Sequence, residues 1–383
     1  MNFGLDETQE AFERLAKDFL DRECDSQVVR QAEETETGFP AQLYQRLADQ
    51  GLLGLNIDEE FGGSAVGYTE IVLFCRQAGS HLLPGPYVPL LTAAEIIRRH
   101  GTADQTQQIL PSIAQGEAMP LPAWLESSND CRFEQSSLQS RAARQGEVYH
   151  LQGCKKFVPF GSSATHFLWL AASREEGRVS DQSTLFLFPA KEGSAQVTDF
   201  ETQGGARVSD VSLESECPAD GVVGAVDQGW SVLCLGLELG RVATAAYALG
   251  AAERALEMGV QYAIERHQFD RPIGSFQAIQ HKLATCRCLI EQAKWLTFHA
   301  AGLKDGGSPA SGVASMAKLA ACRALRETAT ASSLVHGGYG FMQEYDIQLY
   351  FRRAKDLENW CGSLLIDRDL ILRSALDPVD QAC

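Results

Sequence analysis

The sequence predicts an α+β protein in three consecutive parts: an N-terminal helical domain over residues 1–117, a middle antiparallel β-domain over 118–228, and a C-terminal four-helix bundle over 229–383. Two changes of pattern carry this reading. Apolar residues recur with a helical period to about residue 115, and the period then falls to two until about residue 225. Beyond that the helical period returns in long segments. A chain of 383 residues is also too long for one ordinary core, which favours two or three domains.

Asp6 and Glu10 lead into an apolar stripe of Phe12, Leu15, Phe19 and Leu20, which predicts a first helix with that face inward. A second helix is expected near Ala41–Gln50, stopped by Gly51. After the turn Glu60-Phe61-Gly62-Gly63-Ser64 another is expected over about Tyr68–Ser80. The Pro84-Gly85-Pro86 break leads into apolar helices that reach Leu110. In the middle part, residues 148–151, 156–158, 166–170, 184–188 and 206–216 read as strands. Gly153, Gly161, Gly177 and Gly193 punctuate them. In the last part helices are expected near 230–265, 275–303, 309–333, 343–358 and 363–375. Breaks fall at Arg271–Gly274, at Gly306-Gly307 and at His336-Gly337-Gly338. Long helices with short connections form a bundle.

Composition narrows the function. The formal charge of −17 argues against nucleic-acid partners and anionic membranes, both of which require a basic surface. The segment MNFGLDETQE is acidic and lacks the apolar centre of a signal peptide, and no apolar run reaches the length of a membrane span. The eleven cysteines lack paired spacing, and Cys286 and Cys288 stand too close for a zinc knuckle or a redox pair. Free thiols of a cytoplasmic protein are expected. The eight histidines are scattered, so no metal site is expected.

Two segments invite a chemical reading. Arg266 closes a long helix beside Phe269. It could be a solvated cation at a helix C-terminus, or a planar fork for a pyrophosphate. Gly337-Gly338-Tyr339-Gly340 could simply end one helix and begin the next. Alternatively, the missing side chains let the backbone approach a cofactor. The turn is no dinucleotide fingerprint, since it does not join a strand to a helix in the required spacing.

Taken together, YAIERHQFDRPIGSFQAIQH (262–281) and HGGYGF (336–341) resemble the FAD-embracing motifs of the acyl-CoA dehydrogenase family. Arg266, Phe269, Phe276, Gln277, Gly337, Gly338, Gly340 and Phe341 stand in register. The resemblance covers the whole chain and implies the same helical, β, helical order. It implies FAD at a subunit interface, with Arg266, Phe269, Gln277, Gly337 and Gly338 reaching the cofactor held mainly by a neighbouring subunit. It further implies an acyl-CoA or acyl-carrier-protein thioester as substrate and an electron-transfer flavoprotein as acceptor. The implied chemistry is loss of the α-proton with hydride transfer from Cβ.

Several positions depart from the family pattern. Asp270 replaces a glycine and Leu334 a glutamine. The Tyr-Glu-Gly-Thr segment that carries the usual base falls on Trp360-Cys361-Gly362-Ser363, so the glutamate position is Cys361. A second known base position precedes Arg241 and is Gly240. Glu238 lies two residues back, about 200° around the helix. In the β-domain a Thr-Glu pair becomes Leu125-Glu126, and a Trp-x-Thr segment becomes Phe157-Val158-Pro159. Phe157 and Pro159 therefore stand where the family packs and bonds the flavin. The residues of a subunit's own site are altered, while those serving the neighbour's FAD are kept. That asymmetry predicts a subunit of a heteromeric complex with another acyl-CoA dehydrogenase-like chain. Two alternatives stand beside it. One is a homomeric enzyme using Cys361, or Glu358 one turn earlier, as an atypical base; the other is a non-catalytic acyl-thioester scaffold.

Overall fold

A computed structural model describes residues 4–126, 138–173, 178–190 and 195–376. The N-terminal part comprises α1 (Glu7–Glu23), α2 (Ser26–Glu34), α3 (Ala41–Asp49), α4 (Tyr68–Ser80), α5 (Tyr87–His100) and α6 (Ala103–Ala114). Asp6 and Gln9 exchange side-chain and backbone bonds in a capping box that starts α1. Its buried face is Ala16, Phe19 and Leu20, whereas Leu15, expected on that face, is half exposed and lies off it. The short α2 was not foreseen. Asp25 starts it by accepting from the N–H groups of Gln27 and Val28.

The middle part contains β1 (Pro120–Ala123), β2 (Arg141–Gln145), β3 (Val148–Pro159), β4 (His166–Ala172), a helical turn α7 (Val179–Gln182), β5 (Ser183–Pro189), β6 (Gln196–Glu201), β7 (Arg207–Pro218) and β8 (Val222–Val223). One sheet runs in the order β6-β7-β3-β2-β4-β5-β8, with β1 also on β4. Pairing is antiparallel except where β4 lies parallel to β1 and, at one pair, to β2. The runs expected at 148–151 and 156–158 are a single strand. Its register against β7 shifts between Lys155 and Val158, and Phe157 there has φ +53°. Such a bulge re-aims a side chain, and Phe157 ends up 64% exposed.

The last part is α8 (Gly229–Glu265), the hairpin β9 (His267–Gln268) and β10 (Arg271–Pro272), then α9 (Gln277–Asp305), α10 (Ser311–His336), α11 (Ile347–Leu357) and α12 (Leu364–Leu376). At 37 residues α8 is about 55 Å long. Length and composition would let it cross a membrane, but its apolar window is 94% buried within the protein. It is the core helix of the bundle. Glycines let its neighbours touch its backbone. A Cβ on Gly79 of α4 would lie 1.8 Å from Tyr247 O, and one on Gly250 would lie 1.7 Å from Arg76 O.

The three parts are clasped beside α11. Arg353 donates to Gly204 O and to the Tyr247 hydroxyl, which in turn donates to Leu83 O. Asp356 accepts from Thr202 Oγ1 at 2.6 Å and from Gly204 N. Arg352 pairs with Glu33, and Arg207 donates to Glu33 O and Thr35 O. The β6–β7 turn is thereby fixed to both helical parts.

Two glycine substitutions separate packing from propensity. Gly250→Ala should destabilise by about 1–3 kcal/mol, because the new methyl group meets a carbonyl. Gly302→Ala in α9, where a Cβ meets open space, should instead stabilise by about 0.4–1 kcal/mol. Urea denaturation of both variants checks the pair.

Candidate functional site

A cleft of about 800 Å³ opens between the β-sheet and the C-terminal helices. The β-domain lines it with Leu125, Glu126, Phe157, Pro159, Phe160 and Phe200, and the bundle with Asn359, Trp360, Ser363, Leu365 and Ile366. The cleft brings together Phe157, Pro159 and both residues flanking the Cys361-Gly362 turn, which are far apart in sequence. Its polar side chains are largely committed elsewhere. Glu126 is buried, pairs with Lys155 Nζ at 2.6 Å and accepts from the N–H groups of Gln139 and Ser140. Lys155 is fully buried beneath the Trp169 ring, and burial lowers its pKa to about 8 although Glu126 opposes that. Glu126 itself is held below the usual carboxylate range, its burial outweighed by Lys155 and the hydrogen bonds. The pair is therefore ionised at neutral pH.

The two base positions meet at one spot. A Cβ on Gly240 would lie 2.4 Å from Cys361 Sγ and 2.6 Å from Thr92 Oγ1. A thiol and a hydroxyl occupy the place where either glutamate would have to sit. Cys361 is half-buried, with φ +55°, and Gly362 follows at φ +105°. This turn is pinned from behind by Lys318, which donates to Gly362 O and pairs with Asp367 Oδ2 at 2.8 Å. Asp367 Oδ1 binds Arg241 Nε at 2.9 Å. All three ionic groups are buried. Burial raises the Cys361 thiol pKa, opposed by Lys318, Arg241 and hydrogen bonding with Thr244 and Thr92. The thiol is thus neutral at pH 7, a poor proton acceptor.

Glu358 is placed elsewhere. Its carboxylate is buried between Arg326 Nη1 and Lys355 Nζ, each at 2.7 Å, with Arg326 coming from α10. Cys361 Sγ instead faces α5 and α8. The helix ends after Leu357, so the one-turn spacing does not bring the two side chains together.

The Arg266 motif forms a second face that shares no lining residue with the cleft. Arg266, Tyr262, Ile273, His336, Gly337 and Gly338 surround a hollow of about 540 Å³. Phe269 and Asp270 form the hairpin turn with φ +53° and +61°, leaving Phe269 86% exposed. That left-handed pair is a primed turn, and Asp tolerates it where the family has glycine. Arg271 stacks on Phe276 at 4.1 Å. Gln277 opens α9 and is exposed. Among the described residues the side chains of Arg266 and Gln277 make no hydrogen bond or ion pair. Gly337 has φ +64° and ψ −134°, backbone that a side chain would strain, and a Cβ on Gly337 or Gly338 would meet open space.

Sequence reasoning missed Phe160, Phe200, Leu365 and Ile366 in the cleft, and the Lys318–Asp367 pin. Phe200 sits on an exposed edge strand and Lys318 among helical alanines, so neither carried a local signal. The spacing of Gly236 and Gly240, four apart on α8, is the local signal from which the close helix contact could have been read.

Three domains, a sheet–bundle cleft and an exposed Arg–Gly face are the arrangement that the resemblance in the sequence implied. The comparisons agree. Residues 6–117 match the acyl-CoA dehydrogenase N-terminal domain and residues 227–376 match the acyl-CoA dehydrogenase C-terminal domain. A probable acyl-CoA dehydrogenase of Bacillus subtilis, YngJ, is 30% identical over 98% of this chain and 100% of its own. A chain in the structure reported for the electron transferring flavoprotein of Acidaminococcus fermentans aligns with TM-score 0.90 at 28% identity, covering 98% of this chain and 100% of that one. The ChsE4–ChsE5 complex of Mycobacterium tuberculosis contains a chain with TM-score 0.88 at 27% identity, covering 98% and 99%. The protein belongs to the acyl-CoA dehydrogenase family, whose members are FAD-dependent oxidoreductases acting on CH–CH groups.

The residues present fit FAD unequally. The face around Arg266 offers an unpaired guanidinium, a free amide and open glycine backbone, all suited to a pyrophosphate. In the cleft, Leu125 and Pro159 leave a flavin edge without the hydroxyls that would satisfy it.

The raised thiol has a measurable consequence. Alkylation of Cys361 by iodoacetamide, followed by mass spectrometry, should be slow at pH 7 and keep rising with pH beyond about 8.5, where an ordinary thiol begins to level off. Fast reaction at pH 7 would mark a thiolate and reopen Cys361 as a base.

Proposed function

We propose that this chain is one subunit of a heteromeric acyl-CoA dehydrogenase, paired with a related chain that holds most of the FAD and supplies the base. The observation that carries this is the meeting of Gly240, Cys361 and Thr92 where a catalytic carboxylate would have to stand. Losing a general base costs about 10²–10⁴-fold in rate, too much for this chain to act alone. Asp367, the buried carboxylate behind the Cys361-Gly362 turn, is held by two cations and is not free to take a proton. The two-chain ChsE4–ChsE5 relative supports the same reading.

In that complex FAD supplies the acceptor for hydride leaving the acyl Cβ. Arg266 would bind the cofactor's pyrophosphate as a bidentate fork, with Gln277 adding an amide contact. Gly337 and Gly338 would let the backbone approach without a Cβ in the way. Exposed Phe269 would exclude water at the edge of that contact. Electrons would then pass to an electron-transfer flavoprotein.

The test is to express the chain alone, follow flavin absorbance, and titrate it anaerobically with acyl-CoAs. We expect a colourless protein, or a yellow one that no thioester bleaches; bleaching would sink the proposal. Co-expressed with its partner chain, the complex should carry FAD. Arg266→Ala here should then weaken FAD retention by about ten- to a hundredfold, the worth of a charge-assisted bond pair. Unchanged retention would remove Arg266 from the cofactor site.

A further inference from the structure

The hollow beside Arg266 carries more chemistry than a pyrophosphate needs. His336, the last residue of α10, is buried in its wall. Its Nδ1 lies 2.7 Å from Ser332 O, one turn back in the same helix. A ring nitrogen that close to a carbonyl oxygen must carry the proton. Other contacts hold the ring as well. Tyr262 stacks on it with centroids 4.2 Å apart and planes at 27°, and Tyr345 meets it edge-on at 6.2 Å. Turning the ring over would lose the Ser332 bond, so the fold fixes one tautomer.

Taken alone, this is a histidine satisfied within its own helix. What that bond leaves over is Nε2. In the neutral ring Nε2 is a lone-pair acceptor; it makes no hydrogen bond among the described residues and is not sealed from solvent. The hollow of about 540 Å³ is the space it opens to. Half-exposed Tyr339 and Met342 line that space, and Tyr339 is itself stacked on Tyr345 at 5.1 Å. Arg266 lies one turn beyond Tyr262 at the end of α8, its guanidinium unpaired among the described residues. An aromatic surface, one fixed acceptor and one unpaired guanidinium match a purine nucleotide, with its flat base, exocyclic amine and phosphate.

We propose that His336 selects the base of an adenosine diphosphate group in this hollow, its Nε2 accepting from the exocyclic amine. The fixed tautomer makes the selection. A base with an oxygen in place of that amine would set two lone pairs against each other, and the histidine cannot turn its N–H towards the ligand without giving up Ser332 O. The groups that do this all belong to one chain, so the isolated chain should make the selection with neither flavin nor neighbour present. The role of His336 rests on the reading of Arg266 as the group that takes the cofactor's pyrophosphate, and adds to it a choice of base.

The experiment uses the full chain, freed of any flavin, at about pH 8, where an ordinary histidine is neutral. It is titrated by calorimetry with ADP and, separately, with IDP, whose base carries an oxygen in place of the amine. ADP should bind about tenfold more tightly. His336→Gln can turn either an amide oxygen or an NH₂ to the base. It should therefore bind IDP more tightly than the unaltered chain does and bring the two affinities level. Equal binding of ADP and IDP by the unaltered chain, or no binding of ADP, overturns the proposal. So does a His336→Gln chain that keeps the preference, or that loses both nucleotides with no gain for IDP. Arg266→Ala should weaken both nucleotides about tenfold and leave their ratio as it was. If it weakens neither while the ratio holds, the pyrophosphate reading of Arg266 fails and the selection by His336 stands. FAD should displace bound ADP. Displacement by coenzyme A and not by FAD would assign the hollow to the thioester's nucleotide, defeating the cofactor reading alone.

Discussion

Everything in the molecule depends on how closely other backbones approach α8. An ordinary helix pair packs 8–10 Å apart on side chains, but here glycines bring α4 and α5 against the helix surface itself. Gly79 and Gly250 mark the α4 crossing, and Gly236 and Gly240 mark the α5 crossing. Because α8 is rigid and about 55 Å long, those contacts set positions at both ends. Trp230 at its start packs near Trp124 of the β-domain, and Arg266 at its end is delivered to the outer face. The middle of the helix meets the Cys361 turn. A change that separated α5 from α8 would therefore move the site as well as the core.

Charge enters this packing only where it is matched. Arg241, Lys318 and Asp367 are all buried, as are Lys155 and Glu126. Removing one partner of such a set leaves an uncompensated buried charge, which costs about 3–5 kcal/mol. Neither group reaches the cleft as a free base. The first spends its hydrogen bonds holding the Gly362 carbonyl, and the second anchors the backbone at Gln139 and Ser140. These ionic groups fix the walls of the site and hold Glu126 and Asp367 in pairs.

How much of this was legible in the sequence follows from the range of the interactions. The helical, β, helical order was visible because periodicity is local, and so was each break at clustered glycine or proline. In the middle part the strands β1, β2, β6 and β8 escaped. β1 is buried along its length and β6 exposed along its length, so neither alternates. Leu15 was misassigned because helix phase over one turn does not determine which side meets the core. The Arg266 and Gly337 motifs were legible only together and through the resemblance, because an arginine at a helix end or a glycine turn alone has an ordinary structural reading. The cleft was only half legible: Phe157 and Pro159 were singled out, but Phe200 and Ile366 join them through tertiary contacts alone.

The two faces of the chain differ in what their side chains do for this subunit. A residue that serves a neighbour's cofactor is kept only while that neighbour exists, because its side chain does nothing for its own subunit. Arg266 makes no ion pair among the described residues, and Phe269 holds an uncommon positive φ at 86% exposure. Strain and an exposed ring are cheaper to lose than to keep unless something binds there. Positive φ is not confined to that face, since Phe157 and Phe160 at +53° line the cleft and Cys361 at +55° lies beside it. What sets the outer face apart is the absence of a partner for it within the described chain: on the reading proposed above, Arg266 and Phe269 would gain theirs only across an interface, and that contact would offset the strain held in the turn.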